Sequence, residues 1–484
     1  MTPRESCLRQ GGRMYRKVGD RIVSILEEIT DGQVVRDEDL MEPYSHDECA
    51  LSEIWRLPEV VVKPTNAGQV LEVLKLAYDE EVPVTPRGGG TGLCGGCVPV
   101  HGGIVLSLEN MNKILDIDTS NFVTVVEPGV TLMQLAPEAR KEGLFFSPRP
   151  GDESASFGGI VATNAGGSRA LGYGTTRDCT MALEVALPPP YGEIVHLGSR
   201  TVKNSSGYSL LHLMVGSEGT LGIVTKQIMR LDPLPVVTNT LIVPYGNLHD
   251  AIATVPDVLK RGFRPTALEF VQQDVVTVAE KKRERKSKFS GGQAYLMIEI
   301  DAGSEEELER TAEGIADVCE EHNCVDVFLA SGKEQEEVWD FRGKLYEAIK
   351  EYTIEILDIV VPPAEIANHV DAVQRISEEY GVWIPTYGHA GDGNVHSHIM
   401  KVRFKDGDLE QMEEWKRVYA SVRDALHEDA LKRGGLVSGE HGIGLVKKKY
   451  LPMFSDRTRI ELMKRIKKEF DPKNILNPGK IFDL

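Results

Sequence analysis

The sequence predicts an α+β fold divided into two or three domains. Its 484 residues are more than one hydrophobic core normally organises. In the first half, short apolar strands alternate with segments that are rich in glycine. In the second half, between residues 238 and 329, the predicted elements follow the order β-α-β-β-α-β, which is typical of a ferredoxin-like domain.

Composition and charge exclude several classes of function. Hydrophobic residues make up 41% of the chain and charged residues 27%, as in ordinary globular proteins. The formal net charge of −19 argues against binding of nucleic acids or anionic membranes through bulk electrostatics. No apolar run reaches the length of a transmembrane segment.

The cysteines and the first residues of the chain indicate a compartment. Seven cysteines at irregular spacing do not predict a disulfide framework, so we expect a reducing, cytoplasmic environment. Cys94 and Cys97 form a lone C-x-x-C pair, interpreted as small residues beside a ligand in preference to a redox or metal site. Residues 1–17 are basic but lack the apolar stretch of a secretory signal. For these residues, an irregular (ragged) start of the chain before Met14 is favoured over a transit peptide.

Two helices of the first half have clear boundary signals. Thr65 or Asn66 is expected to cap a helix that follows the strand at residues 58–64. A helix at residues 131–142 is expected to be interrupted by Pro137, because proline lacks the backbone N–H that a helix interior uses.

The second half contains further long helical patterns. An extra helix carries the charged run Lys281–Lys286, which we interpret as a solvated face. Another helix is expected at residues 333–352, and two more at residues 409–433 and 458–470.

A glycine-rich segment at residues 86–97 predicts an anion-binding loop. Within it, Gly90–Gly95 matches G-x-G-x-x-G, the fingerprint of a dinucleotide-binding Rossmann unit. That unit needs a helix to begin at the loop, and the glycines and proline of residues 96–103 prevent one. We therefore reject the Rossmann interpretation and keep a nest of backbone amides that could bind phosphate.

Two histidine-containing segments predict a metal site. His389 and His396 flank a glycine turn, and Glu440 lies beside His441 in a second glycine-rich segment. Two imidazoles and one carboxylate are suitable ligands for a divalent transition metal, which leaves His441 for acid–base chemistry. The alternative is a set of structural histidines near tight turns.

Five motifs, in order, resemble a known family. R-G-G-G-T-G-L at 87–93, G-G-x-V-A-T-N-A-G-G at 158–167 and G-S-E-G-T-L-G-I-V-T at 216–225 resemble the FAD-binding domain of the vanillyl-alcohol oxidase type. H-A-G-D-G-N-V-H at 389–396 and G-E-H-G-I-G at 439–444 resemble the branch of the glycolate oxidase D-subunit and D-lactate dehydrogenase. The resemblance covers residue 40 to the C-terminus.

This resemblance implies a two-part FAD-binding domain, a ferredoxin-like cap domain that shapes the substrate site, and a C-terminal helical segment that returns to the FAD-binding domain. The expected boundaries are an N-terminal segment at residues 1–55, the FAD-binding domain at 56–235, the cap with its metal site at 236–445, and the C-terminal segment at 446–484.

The resemblance also implies which residues contact FAD. Thr91 stands where some relatives carry a histidine that bonds covalently to the flavin, so FAD is expected to bind non-covalently. The first segment would wrap the pyrophosphate, and the second would line the flavin ring. The expected FAD-binding residues are Arg87, Gly88, Gly89, Gly90, Thr91, Gly92, Leu93, Pro150, Gly151, Ser156, Gly158, Gly159, Thr163, Asn164, Gly166, Gly167, Tyr173, Gly174, Glu218, Gly219, Gly222, Ile223 and Asn477.

Three further residues are candidates for the chemistry. Arg342 is expected to bind a substrate carboxylate, with a surface ion pair as the alternative interpretation. Asn394 is expected to donate a hydrogen bond to a substrate oxygen, and His441 to act as the base. His398 shares the strand face of His396 and is not expected to bind the metal.

The predicted function is oxidation of a D-2-hydroxy acid, D-lactate or glycolate, with FAD and a divalent metal (Zn, Fe or Mn). D-2-hydroxyglutarate is the close alternative. The resemblance implies that relatives acting on this diacid carry an additional lysine near residues 356–361, where this sequence, which includes Leu357, has none. A metal-dependent hydrolase and a flavin electron-transfer subunit are the alternatives from other classes. Electrons are expected to pass to an electron-transfer flavoprotein or an Fe–S subunit. Assembly of the chain into a homodimer is also considered.

Overall fold

The structure, a computed structural model, describes residues 15–51 and 53–484. The chain divides into two units. The first contains the residues up to 165, residues 175–234 and residues 440–484. The second contains residues 166–174 and 235–439. The expected ragged start before Met14 lies outside the described residues.

The first unit contains two main sheets. One has the order β1-β2-β4-β3, in which β4 runs parallel to both β2 and β3. The other is antiparallel and has the order β5-β6-β10-β8-β9. The strands are β1 Val34–Val35, β2 Val60–Val62, β3 Val84–Arg87, β4 Ile104–Ser107, β5 Ile114–Asp118, β6 Val123–Val126, β7 Leu144–Phe145, β8 Thr180–Ala186, β9 Ile194–Gly198, β10 Ile223–Arg230 and β11 Asp232–Pro233.

The helices of this unit follow most of the boundary signals. Asn66 caps its helix, accepting a hydrogen bond from the Gln69 amide at 3.0 Å. Pro137, however, does not interrupt its helix, because it lies on the exposed face, where the carbonyl that it leaves unbonded can meet water. The helices are Asp20–Ile29, Glu38–Met41, Ala67–Asp79, Leu132–Lys141, Phe157–Thr163, Thr176–Cys179, Leu210–Met214 and Arg457–Phe470.

The second unit is built on one seven-stranded sheet with the order β15-β12-β14-β13-β17-β18-β16. Its first four strands have the 4-1-3-2 order of a ferredoxin-like domain, as predicted. The sequence did not predict that β17, β18 and β16 continue the same sheet. The strands are β12 Val237–Tyr245, β13 Ala267–Gln272, β14 Ala294–Ala302, β15 Phe328–Ser331, β16 Thr353–Val360, β17 Thr386–His389, β18 Asn394–Met400, β19 Val402–Lys405 and β20 Asp408–Gln411.

Two predicted helices of this unit need correction. The helix expected at residues 333–352 is broken at Gly343, and the one expected from residue 409 begins at Trp415, because a β19–β20 hairpin precedes it. In the described part of the chain, no helix is long and apolar enough to cross a membrane. The helices are Ala170–Tyr173, Leu248–Lys260, Gln273–Arg283, Glu305–Glu321, Gly332–Gly343, Leu345–Ile349, Ile366–Tyr380 and Trp415–Lys432.

A buried ion pair fixes the C-terminal segment within the first unit. Lys467 donates to Asp471 at 2.5 Å and to the carbonyls of Thr220 and Leu476 at 2.8 and 2.9 Å. The Asp471 carboxylate also accepts the backbone amides of Ile475 and Leu476. Burial lowers the pKa of Lys467, and the Asp471 charge opposes that shift. The pair therefore holds the segment against the glycine-rich loop at residues 216–222.

We predict that Asp471→Asn lowers the free energy of unfolding by about 3–5 kcal/mol, because it leaves the buried Lys467 without a charge partner. Urea denaturation measures this. Asp456→Asn is the matched control, since asparagine caps the same helix as well as aspartate does and should change stability by less than about 1 kcal/mol. Equal losses in the two variants would contradict the prediction.

Candidate active site

The three glycine-rich segments converge within the first unit. Ser156 links the first and second segments, since its hydroxyl accepts the Gly89 amide at 3.1 Å and caps the helix Phe157–Thr163. Sequence analysis did not predict that helix, because Gly158 and Gly159 are poor helix formers. The second and third segments are joined by two backbone bonds, Gly216 N to Val161 O at 3.0 Å and Glu218 N to Ala162 O at 2.8 Å.

Close packing and one amide side chain complete this arrangement. Gly219 has a φ of +66°, and a Cβ there would lie 2.4 Å from Pro86 Cγ, so only glycine lets the third segment approach the first. The Asn477 side-chain amide donates to the carbonyls of Gly96 at 2.9 Å and Glu218 at 2.8 Å. Asn477 thus holds the loops in place through their backbone.

A cavity of about 240 Å³ opens beside the first segment. Gly88, Gly89 and Gly129 line it without side chains, so a ligand can approach the backbone closely there. Arg87 donates to the His46 carbonyl at 2.6 Å and lies over the Tyr44 ring. The cavity is lined by Pro43, Tyr44, Arg87, Gly88, Gly89, Glu109, Gly129, Thr131 and Ser156.

Some of the side chains predicted to bind FAD also form hydrogen bonds within the protein. Thr163 donates to the Gly159 carbonyl at 3.1 Å, and Asn164 accepts the Arg177 amide at 2.9 Å. Ile223, the first residue of β10, is buried in the hydrophobic core of the first unit. Gly166, Gly167, Tyr173 and Gly174 lie in the second unit, where the Tyr173 hydroxyl donates to Asp301 at 2.8 Å.

Buried ionisable groups surround the first segment, and sequence analysis did not find them. Burial raises the pKa of Asp47 to about 6 and lowers the pKa of Lys480 to about 8. Burial also raises the pKa of Cys97 to about 11, so its thiol is protonated at neutral pH. A protonated thiol agrees with the interpretation of Cys97 as a small packing residue.

In the second unit, β17 and β18 form a hairpin that pairs two buried imidazoles. The Nε2 atoms of His389 and His396 lie 3.4 Å apart, and their rings are nearly perpendicular. Antiparallel pairing brings these residues together although the turn of residues 390–393 separates them. Two ring nitrogens that face each other at this distance fit a shared metal ion.

Glu269 on β13 is a residue that sequence analysis missed. Its carboxylate is fully buried and accepts the Nδ1 proton of His389 at 2.5 Å and an Arg342 Nη2 proton at 2.6 Å. Burial raises the pKa of Glu269, but its interactions with His389 and Arg342 lower that pKa below its usual value. The sequence did contain a signal for it, because Glu269 is a single carboxylate in an apolar strand. A buried charge almost always has a partner, so this residue indicated that one exists.

Arg342 is held inside the unit. Only 13% of its side chain is exposed, so the alternative interpretation as a surface ion pair does not apply. Its guanidinium carbon lies 4.7 Å from the centre of the Tyr387 ring, and its buried Nε has no hydrogen-bond partner within residues 15–51 and 53–484. A guanidinium that retains a donor suits a carboxylate ligand. His398 packs against the rings of Tyr346 and Tyr387.

Asp358 on β16 organises the segment that leads to Glu440. It accepts hydrogen bonds from the Ser438 hydroxyl at 2.7 Å and the Gly439 amide at 3.0 Å. The Asn394 amide donates to Asp358 at 2.8 Å and to the Ile359 carbonyl at 3.1 Å. Both Asn394 amide hydrogens are therefore engaged, and donation to a substrate oxygen would require one of these bonds to break.

Glu218 organises the residues that follow His441 in the first unit. Its buried carboxylate accepts the amides of Ile443 at 2.7 Å and Gly444 at 2.8 Å. Burial raises the pKa of Glu218, although these hydrogen bonds oppose the shift. Glu440 and His441 lie side by side, with Oε1 and Nε2 separated by 3.7 Å. Glu218 therefore fixes the course of the segment that carries them.

Comparison with known families identifies this architecture. The FAD binding domain family matches residues 58–198, and the family of FAD linked oxidases, C-terminal domain, matches residues 234–481. The chain belongs to the FAD-linked oxidases and is an FAD-dependent oxidoreductase. This confirms the cofactor and the family branch inferred from the motifs.

Similar proteins cover almost the whole chain. D-lactate dehydrogenase of Anaerostipes hadrus is 41% identical, over 96% of this chain and 98% of that protein. D-lactate dehydrogenase of Archaeoglobus fulgidus is 44% identical, over 87% and 91%. Glycolate oxidase subunit GlcD of Bacillus subtilis is 39% identical, over 91% and 92%. The crystal structure of p-cresol methylhydroxylase shares the fold, with a TM-score of 0.77 at 19% identity and coverage of 96% and 97%.

Proposed function

We propose that the protein oxidises a 2-hydroxy monocarboxylate, D-lactate or glycolate, to the 2-oxo acid. The observation that supports this most directly is the buried group of Arg342, Glu269 and His389. Glu269 connects Arg342, whose guanidinium is suited to a carboxylate, with His389, whose imidazole is suited to a metal ion. That ion would bind the hydroxyl group next to the carboxylate. A 2-hydroxy acid carries these two functional groups on adjacent carbons.

Each residue has one proposed role. Arg342 binds the substrate carboxylate through the fork of its guanidinium. His389, His396 and Glu440 would hold a divalent ion (Zn, Fe or Mn), which supplies positive charge for the developing alkoxide. His441 takes the hydroxyl proton as general base.

FAD supplies the hydride acceptor, N5 of its ring. We propose that it binds non-covalently, because Thr91 offers no ring nitrogen for a covalent bond. Ser156 and Asn477 hold the glycine-rich loops together through hydrogen bonds to their backbone, and we propose that these loops bind its phosphates. Because no Fe–S cysteine pattern is found in the sequence, the electrons are proposed to leave through a partner, an electron-transfer flavoprotein or an Fe–S subunit.

A monocarboxylate is favoured over the diacid D-2-hydroxyglutarate. Relatives acting on the diacid are expected to carry an additional lysine near β16, whereas β16 contains no lysine and its Leu357 is fully buried. The relatives that are 39–44% identical are named for D-lactate and glycolate. A metal-dependent hydrolase would have no use for the FAD-binding loops.

We predict that D-lactate or glycolate bleaches the flavin spectrum anaerobically, whereas L-lactate does not and D-2-hydroxyglutarate does so much more slowly. Stopped-flow absorbance against this panel of acids measures it. Faster reduction by D-2-hydroxyglutarate would assign the chain to the diacid. A yellow protein that every acid leaves oxidised would favour the electron-transfer subunit.

We expect Arg342→Lys to lower kcat/KM about 10- to 100-fold, because lysine keeps the charge but loses the fork, and one charged hydrogen bond contributes about 1.5–3 kcal/mol. Arg423→Lys is the matched control. Its guanidinium also pairs with a buried glutamate, Glu355, and stacks on a tyrosine, Tyr419, in the same unit. Equal kinetic losses in both variants would remove Arg342 from the site.

We predict that His389→Ala and His441→Ala share a kinetic defect but differ in metal content. His389→Ala should lose the metal, since it removes one of three protein ligands. His441→Ala should retain the metal and slow flavin reduction about 10²–10⁴-fold, the usual effect of removing a positioned base. Elemental analysis combined with stopped-flow reduction measures both quantities. A metal-free His441→Ala protein would place His441 among the ligands instead.

A further inference from the structure

Glu269 and His389 are brought together by the sheet of the second unit. β13 and β17 are antiparallel neighbours, and Glu269 lies directly opposite His389 in their register. The two side chains therefore share one face of the sheet, with Glu269 Oε1 at 2.5 Å from His389 Nδ1. The second carboxylate oxygen contacts Arg342 Nη2 at 2.6 Å. Both oxygens of this buried group are thus engaged, as a buried charge requires.

The contact selects one arrangement of the His389 ring. A carboxylate accepts and does not donate, so the proton of the neutral imidazole lies on Nδ1. The Nε2 lone pair is then directed towards His396 Nε2, 3.4 Å away. A carboxylate behind a histidine also makes the opposite nitrogen a better metal ligand, and removing such a partner typically weakens metal binding 10- to 100-fold.

We propose that Glu269 is a positioning residue that fixes the tautomer and orientation of His389 for metal binding, while Arg342 holds Glu269 in place. The inference rests on the proposed function, because it assumes that His389 is a ligand. Glu269 itself contacts neither substrate nor metal. One buried carboxylate thereby connects the group that binds the substrate carboxylate to a group that binds the ion.

Glu269→Gln tests the proposal, with Zn²⁺ as the probe. Metal-stripped, FAD-loaded protein is titrated against a competing Zn²⁺ chelator, and the Kd should rise about 10- to 100-fold above the wild-type value. Glu299→Gln is the matched control, since Glu299 is equally buried in the adjacent strand β14 and pairs with an arginine, Arg169, at 2.5 Å. This control should leave the Kd unchanged. Wild-type affinity in Glu269→Gln would overturn the proposal.

A second readout does not depend on whether Glu269→Gln folds. In the nitrogen-15 spectrum of histidine-labelled, metal-free wild-type protein, His389 should carry its proton on Nδ1, with its signal identified by its loss in His389→Ala. The measurement is made at a pH at which the ring is neutral, and a neutral ring with its proton on Nε2 would overturn the proposal. Because this measurement needs no metal, it decides whether Glu269 fixes the tautomer of His389 even if wild-type protein binds no Zn²⁺, Mn²⁺ or Fe²⁺. Failure to bind any of these ions would defeat the proposed function instead.

Discussion

A buried carboxylate is stable only when both of its oxygens are compensated, and this constraint organises both units. In the first unit, Asp471 pairs with Lys467 and accepts backbone amides, while Glu218 accepts those of residues 443 and 444. In the second unit, Asp358 holds the Ser438–Gly439 segment, and Glu269 joins Arg342 to His389. Each carboxylate links segments on which a predicted site residue depends.

The FAD-binding loops depend on a second constraint, which is the close packing of their backbones. The side chains of Ser156 and Asn477 join the glycine-rich segments by hydrogen bonds to their backbone, and at Gly219 a side chain would prevent the close approach. Two residues predicted to contact FAD, Thr163 and Asn164, also use their side chains in hydrogen bonds that shape the loops. The glycines of these motifs thus serve the packing of the loops on one another as well as access to the ligand.

Local signals predicted much of the fold. The ferredoxin-like strand order and the helix Glu305–Glu321 follow from hydrophobic periodicity and capping residues, which act over a few positions. The continuation of the sheet by β17, β18 and β16 depends on pairing between distant segments, for which the sequence carries no short-range signal. Pro137 was misjudged because its cost depends on exposure, a property of the tertiary structure.

In the candidate site, too, local signals predicted some residues, whereas contacts between distant segments could not be predicted. His389 and His396 could be predicted because seven positions separate them and a turn lies between. Glu269 could not be assigned to them, since it lies 120 positions from His389 and 73 from Arg342. A charged residue in an apolar strand, as in Ala267–Gln272, indicates that a partner exists without identifying it.

We propose that two imidazoles hold a metal ion that the oxidation requires. The most direct test is anaerobic flavin reduction by D-lactate before chelation, after chelation, and after addition of Zn²⁺, Mn²⁺ or Fe²⁺. We expect chelation to abolish reduction while FAD stays bound, and one of the ions to restore it. Reduction at an unchanged rate after complete removal of metal would contradict the claim and leave His389 and His396 as hydrogen-bond donors to the substrate.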